Sequence, residues 1–273
     1  MTKTYAVIGD PIDHSLSPVI HNAAFRELSL DCTYIAYRIP KGELREGIES
    51  LKEIKIAGFN VTIPHKVEIM KYLNTIDEEC SLIGAANTVE NINNELKGHN
   101  TDMDGFLDPI RKKKISIKDA KVFLLGAGGA ARAIVAAFAM EGAKTITVAN
   151  RSKEKAISLS QFANRIGIET NVISLDKMEM SDSDYNFVVN ATSLGLKNEP
   201  TPIPQNLITK DTVVYDVVYM PMNTDLIKKS KEKGAMVIYG YEMLLAQAAR
   251  AFEIWHGIKA PYEAMKKAVL GDF

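Results

Sequence analysis

Short apolar, β-branched runs recur along the chain, separated by longer stretches whose apolar positions return every three to four residues. Residues 5–8, 33–38, 57–62, 88–92 and 95–99 read as strands, the last two joined by a turn at Asn93-Asn94. Helical spacing predicts helices over 18–28, 43–53 and 64–73 between them, and one over 103–111 leading onward. The alternation resumes with strands at 122–125, 145–149, 187–190, 213–217 and 236–239 and helices at 130–140 and 241–256, the last closing at Gly257. Strands alternating with helices imply largely parallel sheets faced by helices. Prolines at 200, 202 and 204 interrupt the pattern as a loop, and there is no internal repeat. The expected architecture is α/β with two domains: a mostly parallel N-terminal domain over 1–105 and a Rossmann-type domain over 106–240, with a cleft between them.

The segment VFLLGAGGAARAIVAAFAM, beginning at Val122, places Gly126, Gly128 and Gly129 between a strand and a helix, with Ala131 at the third small position. Glycines allow the tight turn and the close approach of backbone to a pyrophosphate, whose charge rests on the free N–H groups of the helix start. After the next strand an NAD-binding unit carries a carboxylate for the ribose 2′-hydroxyl. This chain has Asn150, Arg151 and Ser152, followed by Lys153 and Lys155. A guanidinium pairs with a 2′-phosphate where a carboxylate repels it, so the expected cofactor is NADP.

Composition narrows the function classes. The 273 residues are 46% hydrophobic and 25% charged, and 33 basic against 34 acidic residues leave a net charge of −1. No basic footprint for nucleic acid is present, and Lys112–Lys114 read as a solvated helix end. No apolar run is long enough to span a membrane, the N-terminus lacks the pattern of a signal peptide, and Cys32 and Cys80 stand far apart without metal-ligand spacing. A cytoplasmic protein without a metal, partnered by neither nucleic acid nor membrane, is the expectation.

Four polar blocks in the first domain fall at strand–helix junctions, the edge where open α/β sheets bind ligands. The first, GDPIDHSLSPVIHN from Gly9, offers Ser15 and Ser17 near a helix start at Pro18, with Ser17 expected as its N-cap. The second, NVTIPHK from Asn60, sets Lys66 in the first turn of a helix opened by Pro64, where a cation opposes the helix dipole. The third, GAANT, brings Asn87 to a strand entrance, and the fourth, GHNTDMDG, brings Asn100, Thr101 and Asp102 to a strand end, with Asp102 also able to cap the next helix.

Taken in order, these blocks together with GAGGAARA, NRS, NATSLG from Asn190, DVVYMPMNT from Asp216 and MLLAQA from Met243 resemble the shikimate dehydrogenase family over essentially the whole length. The resemblance implies reversible, NADPH-dependent reduction of 3-dehydroshikimate to shikimate on the route to chorismate and aromatic amino acids. It also implies that helices in 241–273 pack back on the first domain. Matching positions imply substrate contacts from Ser15, Ser17, Thr62, Lys66, Asn87, Asp102, Tyr219 and Gln247, with Lys66 and Asp102 as the catalytic pair. They imply cofactor contacts from Glu78, from Gly126, Ala127, Gly128, Gly129 and Ala130, and from Asn150, Arg151, Ser152, Lys153, Glu154 and Lys155. Thr192, Val217, Gly240 and Met243 are expected around the nicotinamide. Tyr241 and Glu242 depart from the smaller or uncharged residues that many members carry there.

Hydride transfer to a ring ketone leaves negative charge on oxygen, which Lys66 can meet as proton donor or as electrostatic clamp. Asp102 beside it favours the ammonium, whereas burial and a helix start disfavour it, and the sequence leaves both roles open. With no Arg in the four blocks, hydroxyls of Ser15, Ser17 and Tyr219 are the expected holders of the substrate carboxylate. A quinate/shikimate oxidoreductase preferring NAD and a non-catalytic NADP-binding sensor are the alternatives; Arg151 argues against the first and the Lys66–Asp102 pair against the second. Either a monomer or a homodimer is compatible with the sequence.

Overall fold

A computed structural model describes residues 2–175 and 184–271. The chain forms two compact units, Met1–Gly105 with Leu245–Phe273 and Phe106–Leu244.

The first unit is built on a six-stranded sheet in the order β2-β1-β3-β5-β6-β4, with β1 Lys3–Gly9, β2 Cys32–Arg38, β3 Gly58–Val61, β4 Thr75–Ile76, β5 Thr88–Ile92 and β6 Glu95–His99. Only β5 runs against the others, because the tight Asn93-Asn94 turn, with both residues at positive φ, returns the chain directly as β6. On one face α2, Leu44–Glu53, buries Leu44, Ile48 and Leu51 at helical spacing against Ile8, Phe59 and Val61. An aromatic layer is formed by Tyr5 and Tyr34 with His21 and Phe25 of α1 (Ser17–Glu27) and with Phe252, Trp255 and His256 of α8 (Gly240–His256). The Trp255 indole donates to the Val89 carbonyl at 3.0 Å, and α9, Tyr262–Leu270, packs on α1.

In the second unit all six strands are parallel, in the order β12-β11-β10-β7-β8-β9. These are β7 Lys121–Leu125, β8 Thr145–Ala149, β9 Glu169–Ile173, β10 Phe187–Asn190, β11 Val213–Asp216 and β12 Met236–Ile238. Strand order reverses between β7 and β10, the switch point of a Rossmann sheet. Helix α5, Gly129–Met140, is alanine-rich, and its small buried residues let it lie close to the sheet.

Two local expectations are corrected. The stretch 64–73 is not a regular helix: after a cis Ile63–Pro64 peptide it runs in turns and then a 3-10 segment, Glu68–Tyr72. The Lys66 carbonyl accepts from Ala86 N–H at 2.8 Å and the buried His65 ring meets the Ile39 carbonyl at 2.7 Å, so tertiary bonds replace the helical ladder. Ser17 does not cap α1 either; Leu16 occupies the cap position and the Ser17 amide points at Ser15 Oγ, 3.3 Å away. Several elements went unpredicted: the short β4, β9, α3 (Glu78–Ile83, capped by Asp77) and α7 (Asp225–Glu232, capped by Thr224), and the longer α6 (Lys153–Arg165). Elsewhere the predicted strands and helices are present with ends shifted by a residue or two.

His21 supplies the first prediction. Its ring is fully buried, stacked on Tyr34 at 4.4 Å, and neither nitrogen has a hydrogen-bond partner. Burial, with His256 beside it, holds the imidazole pKa down at about 3, below the ordinary value near 6.5. The unfolded chain therefore binds a proton as pH falls below about 6.5 while the folded chain does not, and stability declines by about 1.4 kcal/mol per pH unit from this group until pH approaches its folded value. His21→Phe keeps the stacked ring and removes the titration, so urea midpoints taken at neutral and mildly acidic pH should fall less steeply than in wild type. Equal slopes would show that His21 does not set the acid limit.

Candidate active site

The first unit gathers polar side chains at the ends of β3, β5 and β6. Lys66, on the turn after β3, donates to Asp102 Oδ2 at 2.5 Å, and both side chains are largely buried. Asp102 opens α4, Asp102–Lys112, directly after the β6 strand end. Its other oxygen, Oδ1, accepts from Asn87 Nδ2 at 2.9 Å. Asn87 is the hub: Nδ2 also reaches Thr101 Oγ1 at 2.9 Å and Gln247 Oε1 at 3.4 Å, while Oδ1 accepts from Thr101 N at 2.7 Å and Thr88 Oγ1 at 3.1 Å. Lys66, Asn87, Asp102 and Gln247, drawn from residues 66 to 247, thus share one network. A buried pair of opposite charges is tolerable only with such additional hydrogen bonds.

Thr62 follows β3, its amide bound to the Ile8 carbonyl at 2.9 Å and its carbonyl accepting from His65 N at 2.9 Å. Because Asp10 N donates to the Ile63 carbonyl at 2.9 Å, the loop carrying Ser15 and Ser17 leaves β1 beside this turn. Ser17 is buried and Ser15 half-buried. Glu78 is exposed at the start of α3, outside this network.

Three supports lie outside the expected substrate contacts, and of them only Asn100 is singled out by the sequence, in the fourth polar block. Asn60 is buried within β3 and links Tyr34 Oη (2.6 Å) to Thr88 Oγ1 (3.0 Å) and the Asn87 carbonyl (3.1 Å). Asn100 donates to the Ala85 carbonyl at 2.7 Å and accepts from Asp102 N at 3.1 Å. The third, His99, bridges two carboxylates. The available signal was polar side chains inside otherwise apolar strands, which must find partners.

In the second unit the glycine loop lies at the switch point. Gly126 has φ +119°, and a Cβ there would stand 3.0 Å from the Ala191 carbonyl, so glycine is required by both conformation and space. Gly128 is the N-cap of α5 with no capping side chain, and its Cβ direction is open. The first N–H groups of α5, from Gly129 and Ala130 onward, form a helix start suited to an anion, with Ala127 half-buried before them. After β8, Asn150 Nδ2 binds the Ser152 carbonyl at 2.8 Å and Ser152 caps α6, Lys153–Arg165, while Arg151, Lys153 and Lys155 are exposed. The Glu154 carboxylate accepts from Ser152 Oγ at 2.9 Å.

Beyond β10, Asn190 Oδ1 accepts from the Thr192 amide (3.1 Å) and hydroxyl (2.7 Å), fixing that side chain. Asp216 is buried beneath Val217: Asn190 Nδ2, Val218 N and Thr224 Oγ1 all donate to it, and burial raises its pKa despite those bonds. Tyr219 is half-buried, and burial raises its phenol pKa. Met243 is buried in α8. Glu242, expected with Tyr241 to depart from the family pattern, accepts from Lys113 Nζ at 2.8 Å and Tyr239 N at 3.1 Å, so its charge is met within this unit.

A parallel sheet in Rossmann order with an uncapped glycine-rich helix start defines a dinucleotide-binding domain, and the other unit carries a largely buried lysine–aspartate pair able to exchange a proton. Family models agree along the chain: residues 7–89 match the shikimate dehydrogenase substrate binding domain, 110–200 the shikimate / quinate 5-dehydrogenase family and 240–270 the shikimate 5'-dehydrogenase C-terminal domain. The shikimate dehydrogenase (NADP(+)) of Nitrosopumilus maritimus is 67% identical over 273 residues, covering 100% of both chains. Among solved structures, shikimate dehydrogenase from Aquifex aeolicus matches at 40% identity with a TM-score of 0.88, covering 98% of each chain. A shikimate dehydrogenase solved in complex with NADP+ matches at 37% identity with a TM-score of 0.90, covering 98% of this chain and 95% of that one. The chain belongs to the shikimate dehydrogenase family.

Gly240 tests how tightly the β11 loop is held. A Cβ at this position would lie 2.5 Å from the Val217 and Val218 carbonyl oxygens. Gly240→Ala must push α8 from that loop, and overpacking of this kind costs about 1–3 kcal/mol. Thermal denaturation should register the loss; an unchanged midpoint would mean that the loop yields freely.

Proposed function

We propose that this chain catalyses the reversible, NADPH-dependent reduction of 3-dehydroshikimate to shikimate, acting in the cytoplasm as a monomer or homodimer. The observation that carries the reading is the Lys66–Asp102 pair, fixed on Asn87, in a chain whose family match extends over both units. Among the described residues no helix is long and apolar enough to cross a membrane, and no cluster of side chains could hold a metal ion.

The residues fit NADP. The uncapped start of α5 would receive the pyrophosphate, and exposed Arg151, Lys153 and Lys155 would face the 2′-phosphate, with Glu154 restrained by Ser152. Thr192, Val217, Gly240 and Met243 would adjoin the nicotinamide. When bound, the cofactor supplies hydride. Lys66 meets the charge developing on the ketone oxygen, delivering a proton from Nζ, while Asp102 holds that ammonium in place and accepts from a ring hydroxyl. The helix-dipole opposition expected at Lys66 plays no part, since Lys66 lies on a turn. Asn87 and Gln247 bind ring hydroxyls, Ser15 and Ser17 hold the carboxylate through their hydroxyls, and Thr62 is a further substrate contact. Following NADPH absorbance with 3-dehydroshikimate, against quinate with NAD, tests the reading; faster turnover in the second assay would transfer the chain to the quinate branch.

Lys66→Ala should lower kcat by orders of magnitude with little change in KM, because the ammonium acts chiefly on charge present in the transition state. Asp102→Asn should also be slow, and the double variant less than multiplicatively worse, since the two side chains act as a unit. Steady-state kinetics of the three variants decide, and fully additive losses would separate the pair.

Arg151→Ala should weaken NADP binding more than NAD binding. An arginine–phosphate contact contributes about 1.5–3 kcal/mol, so the expected loss is roughly 10- to 150-fold for NADP alone. Titration with both cofactors checks this, and equal weakening would assign Arg151 to the adenine.

A further inference from the structure

His99 is placed to do more than fill space. Its ring is 9% exposed, with Nδ1 at 2.8 Å from Asp77 Oδ2 and Nε2 at 2.9 Å from Glu90 Oε2. Ionised carboxylates only accept hydrogen bonds, and a neutral imidazole has a single N–H to give. A neutral ring would therefore set a lone pair against one carboxylate oxygen at contact distance. Both bonds form only if both nitrogens carry protons.

The bridge ties three elements together at one point. Asp77 caps α3 through Cys80 N at 2.7 Å and follows β4, Glu90 lies on β5, and His99 is the last residue of β6. The His99 carbonyl accepts from Asn87 N at 3.1 Å, and the next three residues are Asn100, Thr101 and Asp102. We infer that His99 is a positioning residue for the reaction, an imidazolium clamped between Asp77 and Glu90 that holds the strand end from which Asn87, Thr101 and Asp102 are aligned. The inference rests on the reading of Lys66 and Asp102 as the reacting pair.

The surroundings favour the charged ring. Asp77 and Glu79 face it from the β4–α3 junction and Glu90 from β5; Lys97 of β6 adjoins Asp77, Asp104 and Arg250 adjoin Glu79, and Tyr5 lies beside Glu90. Burial works against the charge, and the Asp77 and Glu90 carboxylates outweigh it, so the imidazole pKa is raised above its ordinary value.

Two measurements test this. In wild-type protein, 15N NMR of the labelled imidazole near neutral pH should show both ring nitrogens protonated; a singly protonated ring overturns the inference without any variant. His99→Gln retains one donor group that reaches only one carboxylate, and small misplacement of reacting groups can cost up to about 100-fold, so kcat should fall roughly 10- to 100-fold while KM for shikimate and affinity for NADP stay close to wild type. A rise confined to KM, or wild-type kcat, also overturns it. Lys66→Ala assayed alongside separates the two claims: full turnover there removes the reacting pair itself, whereas loss there with full turnover in His99→Gln removes only the positioning role.

Discussion

The buried amide of Asn87 is the interaction on which the site in the first unit depends. An ion pair as enclosed as Lys66–Asp102 gains less from its own attraction than it loses in hydration unless other groups complete its hydrogen bonding. Asn87 completes it on the aspartate side and, through its oxygen, fixes Thr101, the residue before the aspartate. The same side chain reaches Gln247 on α8, so a residue far along the chain is included by one amide. Asparagine suits the place because it donates and accepts at once and carries no charge to disturb the neighbouring pair.

Around this hub the fold distributes its tasks by secondary structure. The parallel strands β3 and β6 end at one edge and deliver short turns there, which is why Thr62 and Lys66 after β3 can converge with Asp102 after β6. The return of β6 against β5 adds something a wholly parallel sheet could not: Asn87 at the entrance of one strand adjoins His99 to Asp102 at the exit of the next. In the second unit, Asn190 and Asp216 give the ends of β10 and β11 a similar internal scaffold.

Much of this was legible in the chain, and what escaped did so for identifiable reasons. The strand pair 88–92 and 95–99 and the strand–turn–helix at 121–140 rest on local signals, alternation and glycine placement, and tertiary context leaves them unchanged. Lys66 was expected in a helix because Pro64 and the apolar spacing after it suggest one; bonds from Ala86 and Ile39 claimed the backbone and the His65 ring instead. Ser17 carried the sequence signature of a cap, but the turn at Leu16 starts the helix one residue early. Asn60 and His99 were passed over because their importance lies in partners distant in sequence, which periodicity cannot reveal. Glu242 looked like an intrusive charge, and only the structure brings Lys113 to it.

The two ends of the proposed dinucleotide site store their specificity in different currencies of structure. At Gly126 the requirement is written into the main chain: a positive φ and an adjoining carbonyl leave no room for any side chain. At 151–155 it is written on exposed tips above a helix already capped by Ser152, where replacements seldom disturb folding by more than about 0.5 kcal/mol. Substitution is thus barred at one end and tolerated at the other, so a change of preferred nucleotide would be confined to a few exposed side chains while the glycine turn stayed as it is.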